Sequence, residues 1–290
     1  METVLRSAKA TVTIGHDQPF CVIGERINPT GRKAFQAELQ RGDLSRVARD
    51  VEEQVAGGAM VLDVNMGAPL ADEVGLMAAA VKMIQGLCDL PLCIDSSVVE
   101  ALEAGLAAYD GKALVNSVTA EDERLEAVLP LVKRHSAAVI ALPNDEEEIP
   151  AEPRRRLDLA KKIVDVATGR FGIPLEDIVL DPLAMPVGAD TSLVQRSLET
   201  LWLIREEIGT NTTLGASNVS FGMPDRAAIG AAFLPMAAVM GLTSAIMDAR
   251  SPVLVQSVKA ADLLLDHDPW GAAWIAGHRR RAAAAPGPST

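Results

Sequence analysis

Nine polar residues stand out because each closes, or closely follows, a short apolar run. They are Glu25 and Asn28 after FCVIG, Asp63 and Asn65 in MVLDVN, Asp95 in PLCID, Asn116 in ALVNS, Asp181 in DIVLD, Asn218 in TLGASN and Asp248 in SAIMD. The set is rich in carboxylate and carboxamide and contains no His, Lys or Cys, so it advertises neither a metal centre nor a protein nucleophile. A planar carboxylate accepts two parallel N–H donors, the geometry that makes guanidinium–carboxylate pairs strong. Such a ring of residues suits a ligand with an amidine-like donor edge. Helix capping or pairing with Arg would account for single members of the set more easily than for all of them.

The apolar runs recur as eight candidate strands, beginning at Phe20, Met60, Pro91, Ala113, Ala138, Asp177, Thr213 and Ser244. Between and after them lie stretches with apolar residues at three- and four-residue spacing, at 43–57, 72–87, 98–108, 122–135, 153–171, 191–208, 225–240 and 252–265, which predict eight helices. Asp43 and either Asp190 or Thr191 fit as N-caps, and Gly57–Gly58, Gly105 and Gly241 as helix ends. Eight βα units of about 35 residues with strands apolar on both faces imply a parallel sheet closed into a (β/α)8 TIM barrel, a single α/β domain. The reading assigns 1–19 to an N-terminal extension, 20–268 to the barrel and 269–290 to a fraying tail, with NDEEEIPAEP (Asn144 to Pro153) as a loop. Barrel strands carry their functional residues at their C-terminal ends, so the nine residues should project into one cavity. A pterin meets that cavity's chemistry: its 2-amino group and ring N–H groups face carboxylates, and its carbonyl oxygen faces amides.

Composition narrows the function class. The 290 residues are 49% hydrophobic but include only nine aromatics, and the net charge is −12. An acidic surface with few stacking rings argues against nucleic acid as a partner. Cys21, Cys88 and Cys93 are too few and too irregular for a disulfide framework and read as buried thiols of a cytoplasmic protein. His16, His135, His267 and His278 read as solvated or capping residues. No export signal is visible in METVLRSAKATVTIG. The uncharged stretch Ala227 to Met247 is long enough for a membrane span, but Pro235 and Gly241 make it read as a buried helix followed by a short strand.

At these residues the sequence resembles the pterin-binding domain shared by methyltetrahydrofolate:corrinoid/iron–sulfur protein methyltransferases and the folate module of cobalamin-dependent methionine synthase. The matching stretches are GERINPTG (Gly24 to Gly31), LDVNMG (Leu62 to Gly67), CIDSS (Cys93 to Ser97), VNSV (Val115 to Val118), LDPL (Leu180 to Leu183) and SNVSFGMPDR (Ser217 to Arg226), in family order. The resemblance implies a barrel of the pterin-binding, dihydropteroate-synthase-like type. It also implies that Asp95, Asn116 and Asp181 hold the pterin ring and that Asn218 lies near N5 as the catalytic residue. Glu25, Asn28, Asn65, Ser220 and Arg226 fall in matching stretches with less defined roles. Asp248 either reaches the cavity or pairs with Arg250. Homodimerisation is implied by the family alone.

The implied chemistry is methyl exchange between N5 of methyltetrahydrofolate, or a related tetrahydropterin, and the cobalt of a corrinoid. Cobalt(I) supplies the nucleophile, so the protein's task is to help a poor amine leaving group, and a donor that strengthens as charge develops on N5 does this selectively. The side-chain NH2 of Asn218 is the candidate. The corrinoid is expected on a partner protein, because no Asp-x-His-x-x-Gly occurs; in DHDPWG, His267 follows Asp266 directly. Two rival readings share the ring-binding acids. A dihydropteroate-synthase-like condensation needs cations for pyrophosphate, and its closing Ser-x-Arg-x-His is replaced here by IMDAR. A non-catalytic pterin-binding scaffold would have no use for a donor at N5. No metal of the protein's own is expected.

Overall fold

The structure, a computed structural model, describes residues 1–146 and 149–284. It opens with an antiparallel hairpin, β1 (Glu2–Ser7) and β2 (Thr11–Gly15), to which the two-residue β6 (Gly111–Lys112) adds. The main sheet consists of β3 (Cys21–Ile27), β4 (Val61–Asn65), β5 (Leu92–Asp95), β7 (Leu114–Thr119), β8 (Ala138–Leu142), β9 (Ile178–Leu180), β10 (Asn211–Thr212) and β11 (Ser244–Met247), all parallel, in the order β11-β3-β4-β5-β7-β8-β9-β10. The helices are α1 (Lys33–Leu39), α2 (Ser45–Gly57), α3 (Glu73–Leu87), α4 (Val99–Ala108), α5 (Asp122–Arg134), α6 (Pro153–Asp165), α7 (Ser192–Glu207), α8 (Arg226–Met240), α9 (Pro252–Leu264) and α10 (Ala272–Ala284).

Closure between β10 and β11 is slight. One isolated bridge joins Gly215 to Ile246, and the Ile246 N–H donates to Leu214 O at 2.9 Å. Below it, side chains substitute for the ladder: the Thr243 and Ser244 hydroxyls each donate to Thr212 O at 2.9 Å. The seventh strand was expected over 213–218 but occupies Asn211–Thr212, after which the chain leaves the sheet and turns into a 3₁₀ segment, Ala216–Ser220.

Strand side chains alternate between two apolar layers, as a period of two requires. Cys21, Ile23, Val61, Cys93, Leu114, Ala138, Ile140 and Val179 fill the barrel interior together with Leu5, Val12 and Ile14 of the hairpin. Val22, Leu62, Val64, Leu92, Ile94, Val115, Val139, Leu180, Ala245 and Met247 join the layer beneath the helices. The hairpin contributes Leu5, Val12 and Ile14 of its apolar face to the lumen. Asn211 ties it down, its Nδ2 donating to Thr3 Oγ1 and Ile14 O, both at 2.9 Å.

The expected helices are present within a few residues, although α6 ends in a π turn, Val166–Arg170, and α1 and α10 were not anticipated. Gly58 and Gly241 adopt left-handed C-cap conformations. Gly105, in contrast, lies inside α4, where a Cβ would come within 2.8 Å of Ile94 and 2.9 Å of Met77; it is small to let the helix approach the strand. Asp43 and Asp190 accept from the backbone N–H of Ser45 and Ser192, two residues on. The tail is helical through residue 284, capped by Asp268, which accepts from the N–H groups of Ala273 and Trp274. Its last six residues lie outside the described ones, as do Glu147 and Glu148 of the acidic-proline loop. The uncharged stretch resolves into α8, with Pro235 inside it, and β11. No helix among the described residues is long and apolar enough to cross a membrane.

One contact links this scaffold to the barrel mouth. A Cβ on Gly57 would lie 2.2 Å from the backbone oxygen of Ala249, one residue past Asp248. Backbone cannot yield as a side-chain tip can, and overpacking typically costs about 1–3 kcal/mol. Gly57→Ala should therefore lower the Tm, by about 2–4 °C for each kcal/mol lost. A thermal melt superimposable on wild type would show that the two segments separate freely.

Candidate functional site

The site grows directly from the strand alternation. The acids and amides continue the inward-facing alternation of the strands: Glu25 two residues after Ile23, Asp63 two after Val61 and Asn65 two further on, Asp95 after Cys93, Asn116 after Leu114, and Asp181, just past its strand, after Val179. Register then aligns them, pairing Asn65 with Asp95 and Asp95 with Asn116 across neighbouring strands. The apolar lumen thus ends in polar residues at the C-terminal end of the barrel.

Two amide–carboxylate pairs organise this end. Asn65 Nδ2 donates to Asp95 Oδ2 at 2.9 Å while its Oδ1 accepts from the Gly67 N–H at 2.8 Å. Asn116 Nδ2 donates to Asp63 Oδ1 at 3.1 Å. Asp181 Oδ1 accepts from the Leu183 N–H at 2.7 Å. Because β9 ends at Leu180, Asp181 stands just beyond the ladder, held by its own N–H to Ala141 O at 2.9 Å.

Burial sets the proton affinity of these acids, because a carboxylate removed from water is poorly solvated. Asp63, 2% exposed, lies well above the ordinary carboxylate range, first through burial and then through the neighbouring Asp95 charge. Asp95 is pushed up by burial to about 6, with Asn65 pulling it back. Asp181 is pushed up by burial to about 7, opposed by the Leu183 N–H and the charge of Arg156. Glu25 is raised by burial and by Asp248, and is partly relieved by a hydrogen bond from Ser217.

A second cluster adjoins the first. Glu25, Ser220, Arg226 and Asp248 line one cavity of about 300 Å³. Arg226 reaches back along its turn, Nε donating to Ser220 Oγ at 3.2 Å and Nη2 to Ser217 O at 2.6 Å. Asp248 both reaches the cavity and pairs: Arg250 Nε and Nη2 contact its two oxygens, each at 2.9 Å, and this holds the Asp248 carboxyl below its ordinary range. Asn28 is not drawn into either cluster; its Oδ1 accepts from the Thr30 N–H at 2.9 Å and shapes its own loop. Asn218 lies on the 3₁₀ turn, not at a strand end. Its side chain folds toward Gly215 and, among the described residues, makes no hydrogen bond, so its NH2 is an available donor on an exposed residue.

Sequence reading missed one charged residue behind the site. Arg156 is fully buried on α6 and donates to the carbonyls of Pro150, Pro182 and Leu183. Within Arg154-Arg155-Arg156 it resembled part of a solvated face; the available signal was its helical phase with Ala160 and Ile163. Of the three thiols expected to be buried, Cys21 and Cys93 are and Cys88 is half-buried; burial raises all three, Cys21 to about 12. No group of three or more His, Cys, Asp or Glu suited to a metal occurs among the described residues.

Comparison with known proteins identifies the family. The sequence model of the pterin binding enzymes matches residues 24–248. The chain is 30% identical over 260 residues to methionine synthase of Mycobacterium tuberculosis, covering 86% of the chain and 22% of that protein. It is 30% identical over 283 residues to methionine synthase of Mycobacterium leprae, covering 91% and 24%. The chain thus spans less than a quarter of the length of these curated relatives. Among solved structures, Yersinia pestis dihydropteroate synthase with a pterin–sulfa conjugate superposes with TM-score 0.67 at 15% identity, covering 91% of this chain and 98% of that one. Xanthomonas albilineans dihydropteroate synthase with 4-aminobenzoic acid gives TM-score 0.67 at 19% identity, with coverage of 91% and 98%. At those identities the likeness establishes the fold.

The raised acids have a measurable consequence. Asp181 binds a proton more tightly folded than unfolded, so its contribution to stability is intact below pH about 4 and is lost as the pH rises through about 7. Asp181→Asn keeps an oxygen for the Leu183 N–H and removes the buried charge. Its Tm should exceed that of wild type at pH 8, corresponding to about 1–3 kcal/mol, and converge on it near pH 4. An offset independent of pH would assign the effect to packing.

Proposed function

The chain belongs to the pterin-binding enzyme family, and from that premise we propose that it moves a methyl group between N5 of a tetrahydrofolate-type pterin and the cobalt of a corrinoid carried on a partner protein. The observation that carries this reading is the unengaged carboxamide of Asn218 on the turn after β10, in a chain whose match to two methionine synthases covers 86–91% of its length.

The chain's residues divide the work. Asp95 and Asp181 accept hydrogen bonds from the 2-amino and ring N–H groups of the pterin, and the Asn116 amide complements the ring's acceptors. Ligand donors favour the ionised carboxylates that burial disfavours, so a buried acid with a raised proton affinity becomes a selective receptor for a donor edge. A docked corrinoid would supply a nucleophilic cobalt(I) as the methyl acceptor. On this side of the transfer the N5–methyl bond breaks, its electron pair stays on N5, and a proton from solvent completes the N5–H of the tetrahydropterin product. Asn218 Nδ2–H donates to that developing lone pair, an interaction stronger in the transition state than in the bound substrate. On the same family reading the protein acts as a cytoplasmic homodimer.

The dihydropteroate-synthase-like alternative is less well supported at the mouth. The Arg of IMDAR, Arg250, is engaged by Asp248 and by Glu53 at 2.9 Å, which leaves little of its charge for a pyrophosphate. The scaffold alternative leaves the free donor at Asn218 unexplained.

The test is spectroscopic. Methyltetrahydrofolate with cob(I)alamin, and tetrahydrofolate with methylcobalamin, should each show protein-dependent conversion of the cobalamin spectrum. Asn218→Ala should slow conversion about a hundredfold, equivalent to about 3 kcal/mol, while leaving pterin binding near wild type. Pterin binding without exchange in either direction would exclude the transferase reading, and an unchanged rate in the variant would remove Asn218 from the mechanism.

A further inference from the structure

Arg156 is the largest of the fully buried side chains and touches none of the site acids at ion-pair distance. It lies behind the barrel wall on α6, with Nε donating to Pro150 O at 2.6 Å and Nη1 to Pro182 O at 2.7 Å and Leu183 O at 2.9 Å. One guanidinium thereby joins the loop after β8 to the loop after β9. Ser197 Oγ on α7 is also placed to donate to Leu183 O, at 3.0 Å, sharing its proton with Leu193 O at 3.1 Å.

These contacts converge on Leu183. Its backbone has φ of +62°, a left-handed conformation that a residue with a Cβ adopts only when its surroundings impose it. The imposition comes from both sides. The Leu183 carbonyl is gripped by Arg156 and Ser197, and the Leu183 N–H is delivered to Asp181 Oδ1 at 2.7 Å. Burying a guanidinium whose partners are mainly carbonyls is costly, and Arg156 Nη2 has no partner among the described residues. A lysine could satisfy one of these carbonyls but lacks the planar fork that reaches two loops at once.

We propose that Arg156 is a positioning residue of the pterin site: by clamping the Pro182–Leu183 segment from behind the barrel, it holds the Asp181 carboxylate in the orientation a ring donor edge requires. This rests on the reading of Asp181 as a pterin ligand. The Arg156 charge also favours the ionised form of Asp181. The other charges near this pair are Arg196 on α7, which repels Arg156, and Glu152 before α6, which pairs with Arg196 at 3.2 Å.

Tetrahydrofolate binding, measured calorimetrically between about pH 5.5 and 9, separates position from charge. Wild-type affinity should fall as the pH drops through the titration of Asp181 and then of Asp95, and Arg156, whose charge faces Asp181, bears on the upper of the two steps. Arg156→Lys keeps the charge and loses the fork, so it should bind about tenfold more weakly with an unmoved pH midpoint. Arg156→Met should lose both, binding more weakly still with its midpoint at higher pH. Ser197→Ala leaves Arg156 in place and should weaken binding about threefold, which keeps the test decisive should the methionine variant fail to fold. Folded Lys and Ala variants that melt earlier yet bind with wild-type affinity and midpoint would show a purely structural role and overturn the inference. Wild-type protein that binds no tetrahydrofolate at any pH would instead overturn the pterin reading, and this inference with it.

Discussion

Keeping carboxylates out of water is the constraint around which this molecule is arranged. Asp63 and Asp181 are almost fully buried at the C-terminal end of an apolar lumen, and Asp95 stands in the same layer. Each retains a small number of oriented donors: an Asn116 amide, a Leu183 N–H and an Asn65 amide. These donors are fewer than a solvated carboxylate would have, so burial dominates and the proton affinities rise. A ligand with several N–H groups on one edge restores what burial removes. The penalty carried by the free protein and the selectivity of the proposed receptor have the same origin.

Holding charges in such a place demands a stiff surround, and the scaffold provides it without aromatic bulk. The interior layer consists of Leu, Ile, Val, Ala and Cys from six strands and the hairpin, so the base of the lumen is closed by side chains. Stiffness is relaxed where the proposed chemistry needs a loop. Between β10 and β11 a single bridge and two hydroxyl contacts replace a full ladder, and the chain is released early enough to build the turn that carries Asn218. A seventh strand continuing to 218 would have placed that amide in a ladder position, with its direction set by the pleat.

Fold and sequence likeness point to different relatives, and the difference is physically sensible. Superposition with dihydropteroate synthases reports the barrel, which both chemistries share. The match to methionine synthases extends over 86–91% of the chain at 30% identity. Here Arg250 is bound by two carboxylates and Arg226 by its own turn, whereas Asn218 is left unengaged.

Much of this was legible in the sequence because it depends on short-range periodicity. The two-residue alternation placed Glu25, Asp63, Asp95, Asn116 and Asp181 at the ends of apolar runs, and the helices followed from apolar spacing. The hairpin was missed because five- and six-residue strands with exposed outer faces resemble an irregular leader; their inner residues gain meaning only beneath a barrel. The terminal helix was missed because Ala and Arg without an apolar stripe give no phase. Residue type and spacing alone thus determined the barrel and the inventory of acids and amides at its mouth, since both follow from which side chains can face a common core. Only the tertiary structure decided that Asn218 leaves the sheet, that Asp248 is bound by Arg250, and that Arg156 is buried behind Asp181. Those outcomes depend on segments far apart in the chain competing for the same backbone carbonyls and the same volume, a competition that local pattern does not record.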